Sequence, residues 1–297
     1  MKQMTVISGK GGTGKTMISA SFIALSGGCA AADCDVDAAN LHLLLEHKVI
    51  QTDDFKAGKK AEIKSDKCTG CGRCGEVCRF EAVLKEKKYY TINPLLCEGC
   101  GFCARVCPEN AVAMSENTAG ELYASQSLYG PFIHAKLGIA EDNSGKLAAK
   151  VREDAKNAAE KAGRELVIID GPPGTGCPVM ASLTGVDLAV IVTEPTVSGL
   201  HDLDRAARVA GHFGVEVCVI INKYDISTEK TNEIIDFCRA RGIACAGSVS
   251  FSESVLNSVI KGIPPSEGAD EKIKKEIRNI WDFIHTKLFA GAVNGPR

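Results

Sequence analysis

The chain has 297 residues, of which 45% are hydrophobic and 24% are charged, and its formal net charge is −2. These proportions are typical of a soluble globular protein, and the length is sufficient for one large domain and a small one. A net charge near zero provides no reason to expect a nucleic-acid or membrane partner. Because no run of about 18 apolar residues and no signal-peptide pattern is present, we expect a cytoplasmic protein without a transmembrane helix.

The first predicted elements are a strand, a glycine-rich loop and a helix. The loop, residues 9–16, reads G-K-G-G-T-G-K-T and fits the phosphate-binding pattern G-x-x-x-x-G-K-[ST]. Backbone N–H groups and the positive end of the following helix would hold a polyphosphate, with Lys15 on its β- and γ-phosphates and the Thr16 hydroxyl on Mg²⁺. The residues expected to bind the nucleotide here are Gly11, Gly12, Thr13, Gly14, Lys15 and Thr16.

A second lysine in this loop, Lys10, points to one branch of phosphate-binding proteins. The loop resembles the deviant Walker A motif of the MinD/ParA family of P-loop ATPases, whose wider group includes the nitrogenase iron protein. The resemblance implies an α/β fold with a mostly parallel sheet and helices on both faces, and an ATPase that uses ATP and Mg²⁺. In this family the extra lysine reaches the partner's nucleotide, so Lys10 implies a catalytic role in a nucleotide-dependent homodimer.

An acidic stretch follows the second predicted strand, which we expect to end at Asp33. In doubly wound sheets, ligands meet the carboxyl ends of the strands. Residues 35–40 resemble the switch I region of the family, which implies that Asp35 orients the attacking water, while Asp37 is an additional carboxylate without an assigned role. The alternative interpretation is a solvated acidic loop.

Eight of the 14 cysteines form two runs, each spaced C-x₂-C-x₂-C-x₃-C, and the second run repeats the first after 29 residues. This is the spacing of bacterial two-cluster ferredoxins, in which the fourth cysteine of each run binds the other cluster. We assign the first 4Fe–4S cluster to Cys68, Cys71, Cys74 and Cys107. The second 4Fe–4S cluster is assigned to Cys97, Cys100, Cys103 and Cys78.

Zinc and disulfides are the alternative uses of these cysteines. Zinc favours separated C-x-x-C pairs with four ligands per site, and a reducing compartment disfavours disulfides, so both fit less well. Arg79 follows the first run where the pattern has a proline, and that half is therefore expected to differ locally.

The domain organisation follows from these two motifs. A charged stretch poor in large apolar residues places a boundary near residues 54–61. We predict a discontinuous MinD/ParA-like ATPase domain at residues 1–58 and 116–297, with a small α+β two-cluster ferredoxin domain inserted at 59–115. Residues 116–145 are interpreted as a polar stretch.

The second half of the ATPase domain supplies further site residues. A strand at 166–170 ends in Asp170, the Walker B position that would contact Mg²⁺ through water. The glycine- and proline-rich loop that follows resembles switch II. Cys177 comes next, and we favour a small buried residue over a redox or metal reporter. Asn222 resembles the purine-contacting asparagine of the family, with a capping role as the alternative.

Three functions remain open on the sequence alone. The first is ATP-gated electron transfer to an unknown redox protein through the two clusters. The second is an ATP-dependent factor that assembles or inserts a metallocluster into an acceptor protein, although Cys238 and Cys245 lack the C-x-x-C or C-x-C spacing of related scaffold ATPases. The third is a spatial organiser with a redox sensor, which is disfavoured because we expect neither a basic patch nor a membrane-binding tail. The predicted helix at 270–289 carries an apolar face suited to packing on the core.

Overall fold

The structure is a computed structural model, and it describes residues 1–290. The chain forms two compact units. The first comprises residues 1–52, 122–136 and those from 144 onward, and the second comprises residues 53–121 and 137–143. The predicted ferredoxin domain lies within the second unit, and its boundaries stay a prediction.

Within residues 1–290, most of the strands belong to one nine-stranded sheet of order β11-β10-β9-β1-β8-β2-β7-β6-β3. The seven strands from β11 to β7 pair in parallel throughout. In the second unit β4 and β5 form a separate antiparallel pair. The strands are β1 (Lys2–Ser8), β2 (Ala30–Asp33), β3 (His47–Ile63), β4 (Val83–Lys85), β5 (Tyr90–Ile92), β6 (Val112–Ser127), β7 (Gly130–Leu137), β8 (Leu166–Pro173), β9 (Leu188–Thr193), β10 (Glu216–Asn222) and β11 (Ala244–Val249).

The helices alternate with the parallel strands, which makes the fold α/β as predicted. Short 3₁₀ turns at Leu41–Leu43 and Tyr224–Ile226 follow β2 and β10. The helices are α1 (Lys15–Leu25), α2 (Arg73–Glu76), α3 (Phe102–Val106), α4 (Ser144–Lys161), α5 (Cys177–Leu183), α6 (Val197–His212), α7 (Thr228–Ala240), α8 (Glu253–Ile260), α9 (Pro265–Gly268) and α10 (Glu271–Phe289). In the part of the chain that the structure describes, no helix is long and apolar enough to span a bilayer.

The parallel strands bring the candidate site residues to one edge of the sheet. Strands β1, β8 and β9 are almost continuously buried and apolar, as parallel strands covered on both faces require. Ser8, Asp33 and Asn222 are the last residues of β1, β2 and β10, so they share the carboxyl edge. Asp33 is also the register partner of Asp170 on the neighbouring β8. This strand runs three residues beyond Asp170, further than predicted.

The interpretation of residues 116–145 as a polar stretch is wrong. They contain most of β6 and all of β7, and β7 lies inside the sheet between β2 and β6. Phe132 and Ile133 of β7 are buried, whereas β6 mixes exposed polar residues with small buried ones. Strand formation here depends on pairing with neighbours, which the composition of the segment does not reveal.

The predicted terminal helix is confirmed as α10, with Asp270 as its N-cap. Its apolar face belongs to the main core, where the rings of Phe22 and Trp281 lie 5.3 Å apart. Residues 291–297 lie outside the described residues. The buried residues of this face are Ile273, Ile277, Ile280, Trp281, Ile284 and Leu288.

Candidate functional site

The phosphate-binding loop lines a cleft of about 760 Å³ in the first unit. The predicted nucleotide residues Gly11, Gly12, Thr13, Gly14, Lys15, Thr16 and Asn222 all line this cleft. Asp35 lies on its wall as well. An apolar part of the wall, suited to a nucleobase, is formed by Leu43, Leu44, Phe251, Val255, Leu256 and Val259.

The side chain of Asn222 forms a hydrogen bond to the backbone of the phosphate-binding loop. Its Nδ2 donates to the carbonyl oxygen of Thr13 at 2.8 Å, and its Oδ1 accepts the backbone N–H of Lys223 at 3.0 Å. A Cβ atom at Gly14, where φ is +87°, would lie 2.3 Å from that Nδ2, so only glycine fits there. Both ends of the Asn222 amide are therefore engaged within the chain, and its contact with a purine stays a prediction.

Lys15 lies among carboxylates at the bottom of the cleft. Its Nζ is 3.0 Å from Oδ1 of Asp170 and 3.8 Å from Oδ2 of Asp35. Burial lowers the pKa of Lys15, but these carboxylates outweigh burial, so the pKa lies above its ordinary value. Lys15 is therefore a buried cation that is paired with carboxylates in the absence of a nucleotide.

Two observations at this point fit a magnesium site. Oδ1 of Asp170 accepts from Lys15 and from Ser19, whereas its buried Oδ2 has no hydrogen-bond partner among residues 1–290. A buried carboxylate oxygen without a donor suits water held by Mg²⁺. Burial raises the pKa of Asp35, partly offset by Lys15, and a bound cation would favour its charged form.

The acidic stretch after β2 is only partly solvated. Asp33 is fully buried and Asp35 half-buried, so the solvated-loop interpretation applies to Asp37 alone. Burial and the neighbouring Asp170 raise the pKa of Asp33 to about 8, against the opposing effect of Lys15. From the sequence, Asp33 was predicted only as the last residue of its strand.

Lys10 is held by the loop after β9 and by the start of α6 of its own chain. Its Nζ lies 3.0 Å from the Ser198 hydroxyl and 3.7 Å from Oε2 of Glu194. Glu194 also binds Lys223, whose Nζ lies 3.4 Å from the carbonyl oxygen of Gly12. Unlike the predicted nucleotide ligands, Lys10 does not line the cleft in this single chain.

The expectation that Cys177 is buried is wrong. Its side chain is exposed at the first position of α5, directly after the switch II-like loop.

The eight motif cysteines line two recesses of the second unit. The recesses are equal in size, with a cavity volume of about 20 Å³ each, far smaller than that of the cleft in the first unit. The first is lined by Cys68, Cys71, Cys74 and Cys107. The second is lined by Cys78, Cys97, Cys100 and Cys103. Each recess thus collects three cysteines of one run and the fourth of the other.

Backbone donors approach the thiols in both recesses. The N–H of Ala61 donates to Sγ of Cys97 at 3.4 Å, and that of Ala111 to Sγ of Cys107 at 3.3 Å. A Cβ atom at Gly99 would lie 2.0 Å from the carbonyl oxygen of Lys59, so the chain can pass there only as glycine. Soft thiolates with N–H donors fit iron–sulfur clusters.

Among residues 1–290, no three His, Cys, Asp or Glu side chains converge where a single metal ion could bind. In the first unit, His134 lies against His42 and His47, and the three rings pack in stacked and edge-on arrangements.

A comparison with known families identifies the fold. Residues 4–265 match the family model described as the CobQ/CobB/MinD/ParA nucleotide binding domain. The chain belongs to this family. It is an ATP-binding ATPase of the MinD/ParA type. The resemblance of the phosphate-binding loop to this family, stated from the sequence, is therefore confirmed.

Relatives and solved structures agree with this family assignment. An uncharacterized protein of Methanocaldococcus jannaschii is 39% identical over 225 residues, which cover 74% of this chain and 78% of that protein. The Pyrococcus furiosus cell division ATPase MinD superposes with a TM-score of 0.57 at 18% identity, covering 96% of this chain and 99% of that one. Pyrococcus horikoshii MinD, complexed with Mg-ADP, gives 0.56 at 18% identity, with 98% of each chain covered. At these identities the solved structures show the shared P-loop fold.

Proposed function

We propose that this MinD/ParA-type ATPase carries two 4Fe–4S clusters and couples its nucleotide state to electron transfer through them. The observation that supports the clusters best is the sorting of eight cysteines into two four-thiol recesses, with the partition that the ferredoxin spacing predicts. When bound, the clusters would supply one-electron chemistry. Cys68, Cys71, Cys74 and Cys107 would hold one cluster, and Cys78, Cys97, Cys100 and Cys103 the other.

A single strand, β3, connects the switch I-like loop to the cysteine-containing segment along the chain. The 3₁₀ turn at Leu41–Leu43 follows the switch I-like loop, and β3 begins four residues later and continues without interruption to Ile63. Near the end of that strand, the N–H of Ala61 donates to Sγ of Cys97. Hydrogen bonds to cluster sulfurs tune the reduction potential, so a shift of β3 would be felt at the second cluster.

At the nucleotide, the proposed roles follow from position and charge. Lys15 would leave Asp170 and bind the β- and γ-phosphates. Asp170 would then accept a hydrogen bond from a water molecule on Mg²⁺, which the Thr16 hydroxyl would also hold. Asp35, on the same wall of the cleft, would orient the attacking water. The Mg-ADP bound by Pyrococcus horikoshii MinD supports this choice of ligand.

The proposed nucleotide-dependent homodimer can be tested by substitution of Lys10. Since Lys10 does not line the cleft of its own chain, we expect Lys10→Ala to bind a non-hydrolysable ATP analogue within about threefold of wild type but to stay monomeric. Light scattering after gel filtration, with and without the analogue, measures this. Lys156→Ala, an exposed change on α4, is the matched control and should dimerise. A Lys10→Ala protein that dimerises normally would refute the role of Lys10 in dimerisation.

The second candidate, cluster delivery, is favoured by one observation. Cys71 and Cys100 are exposed, so an acceptor could reach one thiol of each recess. The two functions differ in what happens to iron during ATP turnover. We expect the reconstituted protein to keep its iron when incubated anaerobically with MgATP and excess apo-ferredoxin. Iron transfer that requires ATP hydrolysis would instead establish the delivery function.

A further inference from the structure

The buried carboxylate of Asp33 fastens both ends of the switch I-like loop. Asp33 ends β2 and is fully buried. Its Oδ1 accepts the backbone N–H of Asp35 at 3.1 Å. Its Oδ2 accepts the N–H groups of Asn40 at 3.1 Å and Leu41 at 3.0 Å. The loop therefore leaves Asp33 and returns to the same carboxylate seven residues later.

Other contacts also hold this loop, among them the ion pair between Asp35 and Lys15. At its start, the N–H of Cys34 donates to the carbonyl oxygen of Asp170, and within it Ala38 donates to the carbonyl of Asp35. At its end, the side chain of Leu41 is buried in the main core. The three bonds to Asp33 join the start of the loop to its end, and because this carboxyl is fully buried, they are stronger than the same bonds would be in water.

We infer that Asp33 is a positioning residue for ATP hydrolysis, which acts by fixing Asp35 in the cleft. This inference rests on the proposed role of Asp35 as the group that orients water. Asp33 does not line the cleft, so it has no direct contact with the nucleotide to lose. Its effect is on the geometry of Asp35, whose Oδ2 lies 3.8 Å from Lys15. A displacement of about 1 Å is enough to cost on the order of 100-fold in rate.

Asp33→Asn is the variant that separates a role in positioning Asp35 from a role in binding the nucleotide. Asparagine has the same shape but replaces one acceptor oxygen by an NH₂ donor. In either orientation, that NH₂ group faces a backbone N–H of Asp35 or those of Asn40 and Leu41, and at least one restraint is lost. Asp37→Asn is the matched control, because it makes the same chemical change at an exposed position of the same loop.

We expect Asp33→Asn to lower kcat about 10- to 100-fold while the Kd for a non-hydrolysable ATP analogue stays within about threefold of wild type. Asp35→Asn should show the same pattern, and Asp37→Asn should match wild type. Hydrogen exchange at Asn40 and Leu41 should be faster in Asp33→Asn. An Asp33→Asn protein with wild-type kcat, or one in which kcat and affinity fall together, would overturn the inference.

Hydrogen exchange in the unmodified protein tests the same contacts if Asp33→Asn does not fold. The amides of Asp35, Asn40 and Leu41 should be protected more than that of Asp37. Free exchange at all of these amides would overturn the inference whatever the variants do. If wild type hydrolyses no ATP, the proposed catalytic role fails on its own, and protected amides would still show that Asp33 fastens the loop.

Discussion

Replacing Lys15 by alanine is expected to abolish ATP hydrolysis and to weaken ATP binding strongly. Lys15 is the buried cation among Asp33, Asp35 and Asp170, and the carboxylates raise its pKa. Without it, a nucleotide carrying several negative charges would enter a cleft lined by uncompensated acids. We expect affinity for MgATP to fall at least about 100-fold, which corresponds to about 2.7 kcal/mol. Isothermal titration calorimetry and a phosphate-release assay measure the two effects.

Lys146→Ala provides the control for this change. Lys146 is an exposed lysine on α4 that does not line the cleft, so its loss should leave binding and hydrolysis unchanged. The iron content of Lys15→Ala should equal that of wild type, because the cysteine recesses belong to the other unit. Hydrolysis that survives in Lys15→Ala would show that the phosphate-binding loop is not the site.

Pairs of cysteine substitutions are expected to have a large effect on the number of clusters that the protein binds. Cys103 and Cys107 lie four positions apart in one run but line different recesses, whereas Cys97 and Cys103 line the same one. A double Cys97→Ser, Cys103→Ser protein should therefore keep one cluster, about four iron atoms per chain. The double Cys103→Ser, Cys107→Ser protein should lose both clusters, because each loses a thiolate ligand.

Iron analysis after anaerobic reconstitution distinguishes these proteins. Wild type should hold about eight iron atoms per chain, and so should the control Cys177→Ser, which changes an exposed cysteine outside the recesses. Equal iron content in the two double variants would refute the interlocked partition. Stoichiometric zinc with no iron in the wild-type protein would refute the clusters altogether.

The sequence predicted those parts of the site that depend on short-range chemistry. The spacing of Gly14, Lys15 and Thr16 requires a particular local backbone, so the motif identifies the loop without knowledge of the remaining fold. The cysteine partition likewise follows from ligand spacing, and the recesses agree with it. The family resemblance supplied candidate roles for Lys10, Asp35 and Asn222, and these roles stay predictions.

The parts that sequence reasoning missed depend on contacts between distant segments. Asp33 binds backbone N–H groups, which every residue type offers, so its role leaves no signature in the sequence. Asn222 faces the loop because β1 and β10 end at the same edge of the sheet. Strands β6 and β7 were missed because pairing with neighbouring strands outweighs their mixed composition.

The measurement that tests the central proposal most directly is an anaerobic redox titration of the reconstituted protein, followed by EPR, with and without MgATP. We expect MgATP to shift the potential of at least one cluster by about 59 mV or more, a one-electron change equivalent to about 1.4 kcal/mol of coupling. Lys15→Ala should show no shift with MgATP. Identical potentials for both clusters in the wild-type protein with and without MgATP would contradict coupling between nucleotide state and cluster potential.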